Sequence, residues 1–202
     1  GKYRKLITNE WIENQCVLLM EINRLLVQLG RSRNLFAPRE GWLSIIPNDP
    51  SDENYAYQLL FVMICSSSLS DTSLLHHMKS IFDLLTVTPQ EIIKKTANEL
   101  ETLLHKMGRS NMNASNILAM TKDVIDKHHG VIPQDWKSIK EFHGVGPKIA
   151  AVVAYEAFGI NHIPVDVHVL RFSKFFGWCS SKAPAEECQE DIESWMPKYY
   201  WQ

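Results

Sequence analysis

Apolar residues recur at intervals of three and four along almost the whole chain, and runs alternating apolar with polar are nearly missing. Such a chain buries one face of many helices, so the expected fold class is all-α, with about ten short helices and short connections. Trp11, Ile12, Leu18, Leu19, Ile22, Leu25, Leu26 and Leu29 mark a first helix, capped by Thr8 or Asn9 and ended by Gly30. Residues 30–51 are irregular, with Pro38, Gly41, Pro47 and Pro50 as breakers. Ser51 or Asp52 opens a second helix through Cys65, and Ser66, Ser67 and Ser68 break it. Ser70 or Asp71 caps the next, whose stripe is Leu74, Leu75, Met78, Ile81, Phe82 and Leu85. Thr88-Pro89 is a cap followed by proline at the first helical position. Two short helices then end at Gly108, a polar loop spans Arg109 to Asn113, and a long helix runs to His129 and closes at Gly130. Another short helix is expected from Pro133 to Phe142. Only Ile163-Pro164-Val165 reads as extended, and its proline argues against a central strand.

Composition excludes several classes. Hydrophobic residues make up 45% and charged residues 22% of 202, which rules out disorder as the main state. Apolar runs such as Leu59 to Cys65 fall far short of the ~20 residues of a bilayer span, so no membrane role is expected. The chain opens Gly-Lys-Tyr-Arg-Lys, with no methionine and no apolar leader, as expected of an excised fragment or a processed chain. A net charge of -2 argues against coating nucleic acid by bulk charge. The charge is uneven, however: residues 136–182 hold six Lys/Arg against three acids, and residues 183–202 five acids against one lysine. Cys16, Cys65, Cys179 and Cys188 show no CxxC spacing, so neither zinc nor a disulfide framework is supported, and a reduced intracellular compartment is expected. The pairs His76-His77 and His128-His129 are helix neighbours that cannot face one site, so no metal centre is expected.

The chemistry concentrates between Phe142 and Trp178. His143-Gly144-Val145-Gly146-Pro147 separates two helices, and its paired glycines allow φ > 0 and leave no Cβ in the way. A tight hairpin of this kind turns backbone N–H groups outward. With the positive end of the following helix they form a phosphate seat that needs no basic side chain. A corner made only for packing reads the same way. Lys148 lies in the first turn of that second helix, where the dipole and partial burial would disfavour the charged ammonium and leave an amine able to attack carbon; a solvated lysine is the plain alternative. Asp166 follows Pro164-Val165 at the start of another apolar helix, where it serves as an N-cap or as a nearby charge for the lysine.

Phe142-His-Gly-Val-Gly-Pro-Lys148 and Val165-Asp-Val-His-Val-Leu-Arg171 together resemble the helix-hairpin-helix DNA glycosylase superfamily, most closely its endonuclease III-type members, whose pattern is L-P-G-V-G-x-K and then V-D-x-H-hydrophobic-x-R. The likeness covers roughly residues 55–202. It implies two helical lobes with a DNA-binding cleft between them: a six-helix bundle over 52–160, and a second lobe from 1–51 with 161–202. It implies Lys148 as the nucleophile and Asp166 as the essential carboxylate of a DNA glycosylase with AP lyase activity, acting through a Schiff base in base-excision repair. His143, Gly144, Val145 and Gly146 would meet the DNA, as would Ser68 and the loop residues Arg109, Ser110 and Asn111. The partner implied is double-stranded DNA with a damaged or abasic nucleotide, bound by a monomer where the DNA is, in nucleus or nucleoid. No membrane partner is implied.

Departures accompany the match. His143 replaces the usual hairpin proline. Ser68 falls where relatives carry a void-filling glutamine, and Arg109 with Ser110 where relatives present an apolar wedge. Endonuclease III carries four late cysteines, C-x6-C-x2-C-x5-C, for a [4Fe–4S] cluster, and this chain has no such set. Either the protein continues past Gln202 or it is a clusterless relative. No cofactor is therefore expected, beyond room for a monovalent cation at the hairpin. Three other readings stay open: a non-catalytic DNA-binding module, a lyase acting only on abasic sites, and a purely structural helical domain.

Overall fold

The computed structural model describes residues 8–33, 45–66 and 71–201. Ten α-helices and two 3-10 turns account for their regular structure, and no strand occurs among the described residues. The protein is all-α. None of its described helices is long and apolar enough to cross a membrane.

The described residues divide into two compact units, one within Arg39–His162 and one within Gly1–Pro38 plus Ile163–Gln202. The sequence reading set its divisions at 51/52 and 160/161. The larger unit holds α2 (Tyr55–Cys65), α3 (Asp71–Leu84), α4 (Pro89–Ile92), α5 (Ala97–Leu103), α6 (Ser110–His128), α7 (Trp136–Lys140) and α8 (Pro147–Phe158). Every residue of α2 is buried. A helix apolar on all sides belongs at the centre of a bundle, and α2 packs against α6 and α8. Most of its polar atoms find partners there: the Tyr57 and Thr121 hydroxyls lie 2.6 Å apart, and Gln58 Nε2 donates to the Val87 carbonyl at 3.3 Å, while Gln58 Oε1 is buried without one among the described residues.

The smaller unit holds α1 (Asn9–Arg33), α9 (Val167–Phe175) and α10 (Ala185–Glu193). Its core is aromatic. Trp11 meets Trp195 edge-on at 5.1 Å, Trp195 meets Trp178 at 5.9 Å, and Trp178 stacks on Phe176 at 5.2 Å. The Trp178 indole donates to Gln15 Oε1 at 2.8 Å, and Glu193 accepts from the Ile163 amide at 2.8 Å. Such rings supply large buried area; the Trp178 N–H has its acceptor, whereas the buried Trp195 N–H has none among the described residues.

Several helix limits differ from the sequence reading. α1 runs through Gly30 to Arg33; a lone glycine lowers helix stability without ending a helix whose periodicity continues. α2 starts at Tyr55, because the Asp49 and Asp52 carboxylates accept from the Ser51 and Asn54 amides and hold a turn ahead of it. α6 starts at Ser110, so most of the loop expected over 109–113 is helical. α7 starts at Trp136, because Asp135 Oδ1 takes the Ser138 amide at 2.9 Å and caps it there. Thr88 caps α4 with Pro89 at its first position, as the sequence reading has it. Ser68 lies outside the described residues.

Candidate functional site

The larger unit builds a hairpin from α7 and α8. Phe142 is buried, and its ring meets the His128 ring edge-on at 5.4 Å, which anchors the end of the first arm. The chain then turns, with the Val145 amide donating to the Phe142 carbonyl at 3.1 Å. Gly144 sits at φ +77, in the left-handed region. A Cβ built there would lie 2.8 Å from Asn116 Nδ2 and 2.9 Å from two Asn116 carbons. Glycine is thus required twice, by backbone conformation and by the close approach of α6. Gly146 is different. Its φ of -96° suits any residue, and a Cβ would meet nothing within 4 Å.

Val145 turns inward: its side chain is buried and its amide is used inside the turn. Among the described residues, no acceptor engages the amides of Gly144 or Gly146. Pro147 begins α8, and Trp136 braces it by donating from its indole to the Pro147 carbonyl at 3.3 Å. Lys140 Nζ stands 4.9 Å over the Trp136 ring, and His162 stacks on the same ring at 5.2 Å.

Lys148 follows in the first turn of α8, and its side chain is exposed. This corrects the partial burial that the sequence reading gave it. The apolar face of α8 is carried by Ala150, Ala151, Val153 and Ala154, which leaves position 148 on the solvent side.

His143 points back along α6. Its Nδ1 lies 3.4 Å from Asp123 Oδ2, an ion pair whenever the ring is protonated, and Lys127 Nζ lies 2.8 Å from Asp123 Oδ1. The Lys127 hydrogen bond, helped by Lys127 charge and by His143, holds the Asp123 carboxyl below its ordinary range. A depressed carboxyl contributes stability that is complete above the unfolded-state value of 3.8 and is lost as pH falls through the lower folded value. Asp123→Asn therefore lowers the urea midpoint near neutrality, and the difference from wild type closes below that window. An undiminished gap at the acid end would contradict the pairing. Asn116 and Asp123 both support the hairpin and were missed in the sequence. Their spacing of seven, two turns on one face of α6, was the available signal.

A second exposed loop precedes α6. Gly108 adopts φ 57 and ψ 145, and Arg109 is left-handed at φ 50 and ψ 33. Asn113 holds this turn by donating to the Gly108 carbonyl at 3.1 Å. Arg109 is exposed, Ser110 is half-buried, and Asn111 Nδ2 donates to Glu101 Oε2 at 3.1 Å. With Met112, these residues border an open concavity of about 540 Å³.

Asp166 belongs to the smaller unit. It is the N-cap of α9, with Oδ1 accepting from the His168 and Val169 amides, each at 2.9 Å. In the same unit Cys179 and Cys188, separate in sequence, meet side chain to side chain. Burial comes first among the causes that push both thiols up, Cys179 to about 12, so neither favours the reactive thiolate. Among the described residues, no group of three or more His, Cys, Asp or Glu side chains could hold a metal ion. Of the four cysteines, Cys16, Cys179 and Cys188 lie in the smaller unit, and Cys65 is buried in the larger.

Gly144→Ala is expected to destabilise the protein by about 1–3 kcal/mol, from left-handed strain plus displacement of Asn116. Gly146→Ala should leave the melting temperature unchanged, since its Cβ meets only open space. Thermal melts of the two variants side by side decide this; equal losses would refute the asymmetry.

The family model for the HhH-GPD superfamily base excision DNA repair protein matches residues 61–198. Endonuclease III of Thermotoga maritima is 27% identical over 149 residues, 74% of this chain and 69% of that protein. Endonuclease III of Haemophilus influenzae is 31% identical over 125 residues, 62% of this chain and 59% of that one; against it, the chain spans less than two thirds of the relative's length. The solved structure of a trapped endonuclease III–DNA covalent intermediate superposes with a TM-score of 0.70 at 27% identity, covering 90% of this chain and 80% of that chain.

Proposed function

Because the chain belongs to the HhH-GPD superfamily of base excision DNA repair proteins, we propose that it is a DNA glycosylase with AP lyase activity, excising a damaged or modified base through a Schiff-base intermediate. The observation that carries this reading is the exposed Lys148 amine in the first turn of α8, two residues past the unengaged amide of Gly146. Gly144 and Gly146 offer their N–H groups to a phosphate of the DNA backbone, and the open space at Gly146 lets that backbone come close. The seat costs no basic side chain, which suits a net charge of -2.

The chemistry follows from the groups named. A base within the duplex is out of reach, so the nucleotide leaves the stack. The unprotonated Lys148 amine attacks C1′ of the deoxyribose, and the C1′–N bond to the base breaks with its electron pair going to the base. Asp166 stabilises the positive charge that develops on the sugar and takes up a proton from the attacking nitrogen. Ring opening gives the imine. Loss of the C2′ proton then expels the 3′ phosphate and nicks the strand. The protonated imine, an iminium, draws electrons from the C2′–H bond, which is why a lysine supports this last step.

The test is incubation with borohydride and a panel of single-lesion duplexes plus one abasic duplex. A trapped covalent complex on a lesion duplex is the expected result. Trapping on the abasic duplex alone would leave an abasic-site lyase. Duplex binding with no trapping anywhere would leave a DNA-binding module and end the reading as an enzyme.

A further inference from the structure

One face of α9 combines exposed aromatic and basic side chains. His168, Arg171, Phe172 and Phe175 follow one another at helical spacing, and all four are exposed. Phe172 is 61% and Phe175 81% exposed, extreme values for phenylalanine. They border an open concavity of about 480 Å³ together with His168 and Arg171. The helix carries Arg171 and Lys174 and no carboxylate.

These rings are held, not loose. Phe172 lies parallel to Phe176 at 6.3 Å and 13°, and Phe175 meets Phe176 edge-on at 5.1 Å. Phe176 in turn stacks on Trp178, which belongs to the buried aromatic core. Two outward-facing rings are thus fixed by a third that is anchored inside. Ordering them has already been done on folding, so an incoming partner loses little further entropy.

We propose that this stripe is a stacking platform for unpaired nucleotides, extending the DNA-binding surface along α9 from its cap at Asp166. Phe172 and Phe175 offer π faces to bases or sugars, and Arg171 with His168 offers donors to the connecting phosphates. Alternating aromatic and cationic groups along a groove are the chemistry that holds single-stranded nucleic acid, and stacking of this kind is indifferent to base identity. The positive charge matches a phosphate backbone and does nothing for a purely apolar partner. The platform therefore favours DNA in which the strand near the target has lost its pairing, as beside a gap or a single-stranded junction. This inference rests on the DNA-binding reading given above.

The test compares binding of the full chain to a fully paired fluorescent duplex, to the same duplex with a short gap in one strand, and to the single strand. Phe172→Leu/Phe175→Leu keeps apolar bulk and helix propensity but removes the π faces. The double variant is expected to lose about 10- to 100-fold in affinity for gapped and single-stranded DNA and less than about threefold for the paired duplex. Phe172→Tyr/Phe175→Tyr should restore binding. Equal affinities of wild type and the leucine variant on gapped DNA would overturn the platform while leaving the glycosylase reading intact. So would a variant whose one defect is loss of self-association in sedimentation, which would assign the face to a second copy of the chain. Wild-type protein that binds none of the probes at low salt would overturn both readings together.

Discussion

Lys148→Ala yields no borohydride-trapped complex on abasic or lesion DNA, and its strand nicking falls by about 10³-fold or more, some 4 kcal/mol of barrier. The fold should not notice. The side chain is exposed, so its loss changes stability by less than about 0.5 kcal/mol. Lys148→Arg separates two ways a lysine can act. Arginine keeps the positive charge near the phosphates but stays protonated and cannot form an imine. If position 148 supplies only charge, the arginine variant nicks and binds like wild type. If it supplies a nucleophile, the arginine variant binds DNA within about threefold of wild type yet traps nothing. The exposure of Lys148 sharpens this. The residue is exposed at the start of a helix, so a bound nucleotide would itself help to exclude water from it. Trapping should therefore respond to the DNA presented, with a mispaired or abasic site faster than a well-stacked one.

The helical class and most helices were legible because apolar residues keep helical spacing and because Thr88-Pro89 and Gly130 punctuate it. Limits set by side-chain hydrogen bonds were harder to read. Asp135 and Asp52 each compete with neighbouring polar residues for the role of cap, and only the folded turn shows which amides they take. The hairpin and its lysine stood out because glycine pairs and prolines are rare signals. The support beneath the hairpin did not: Asn116 and Asp123 look like ordinary surface residues of a long helix until α6 is seen to run under Gly144 and His143. Val145 is partly hidden too: that the turn consumes its amide and the core takes its side chain shows only in the folded hairpin. The pairing of Cys179 with Cys188 depends on how α9 and α10 pack, which no local pattern encodes. The exposed Phe172 and Phe175 were hidden by their own apolarity, since a sequence reading sends phenylalanine to the core.

Asp166→Asn is expected to keep the fold and lose the reaction. The carboxylate has a structural task that needs no charge: Oδ1 accepts from the His168 and Val169 amides in the first turn of α9. Asparagine caps a helix about as well as aspartate, so its melting temperature should stay close to wild type, with only the small loss of a negative charge at a helix start. Asp166→Ala removes the cap as well and costs about 1 kcal/mol. The proposed chemical task does need the charge. A neutral amide cannot balance a sugar that becomes positive, nor receive the proton that Lys148 must shed, and removing a group with both duties slows turnover by about 10²- to 10⁴-fold. The two variants thus move in opposite orders: alanine is the worse for stability, and asparagine nearly as bad as alanine for base release and trapping. Should asparagine turn over at the wild-type rate while alanine fails only on heating, Asp166 would be a cap and nothing more. The carboxylate partner of Lys148 would then have to be sought elsewhere in the chain.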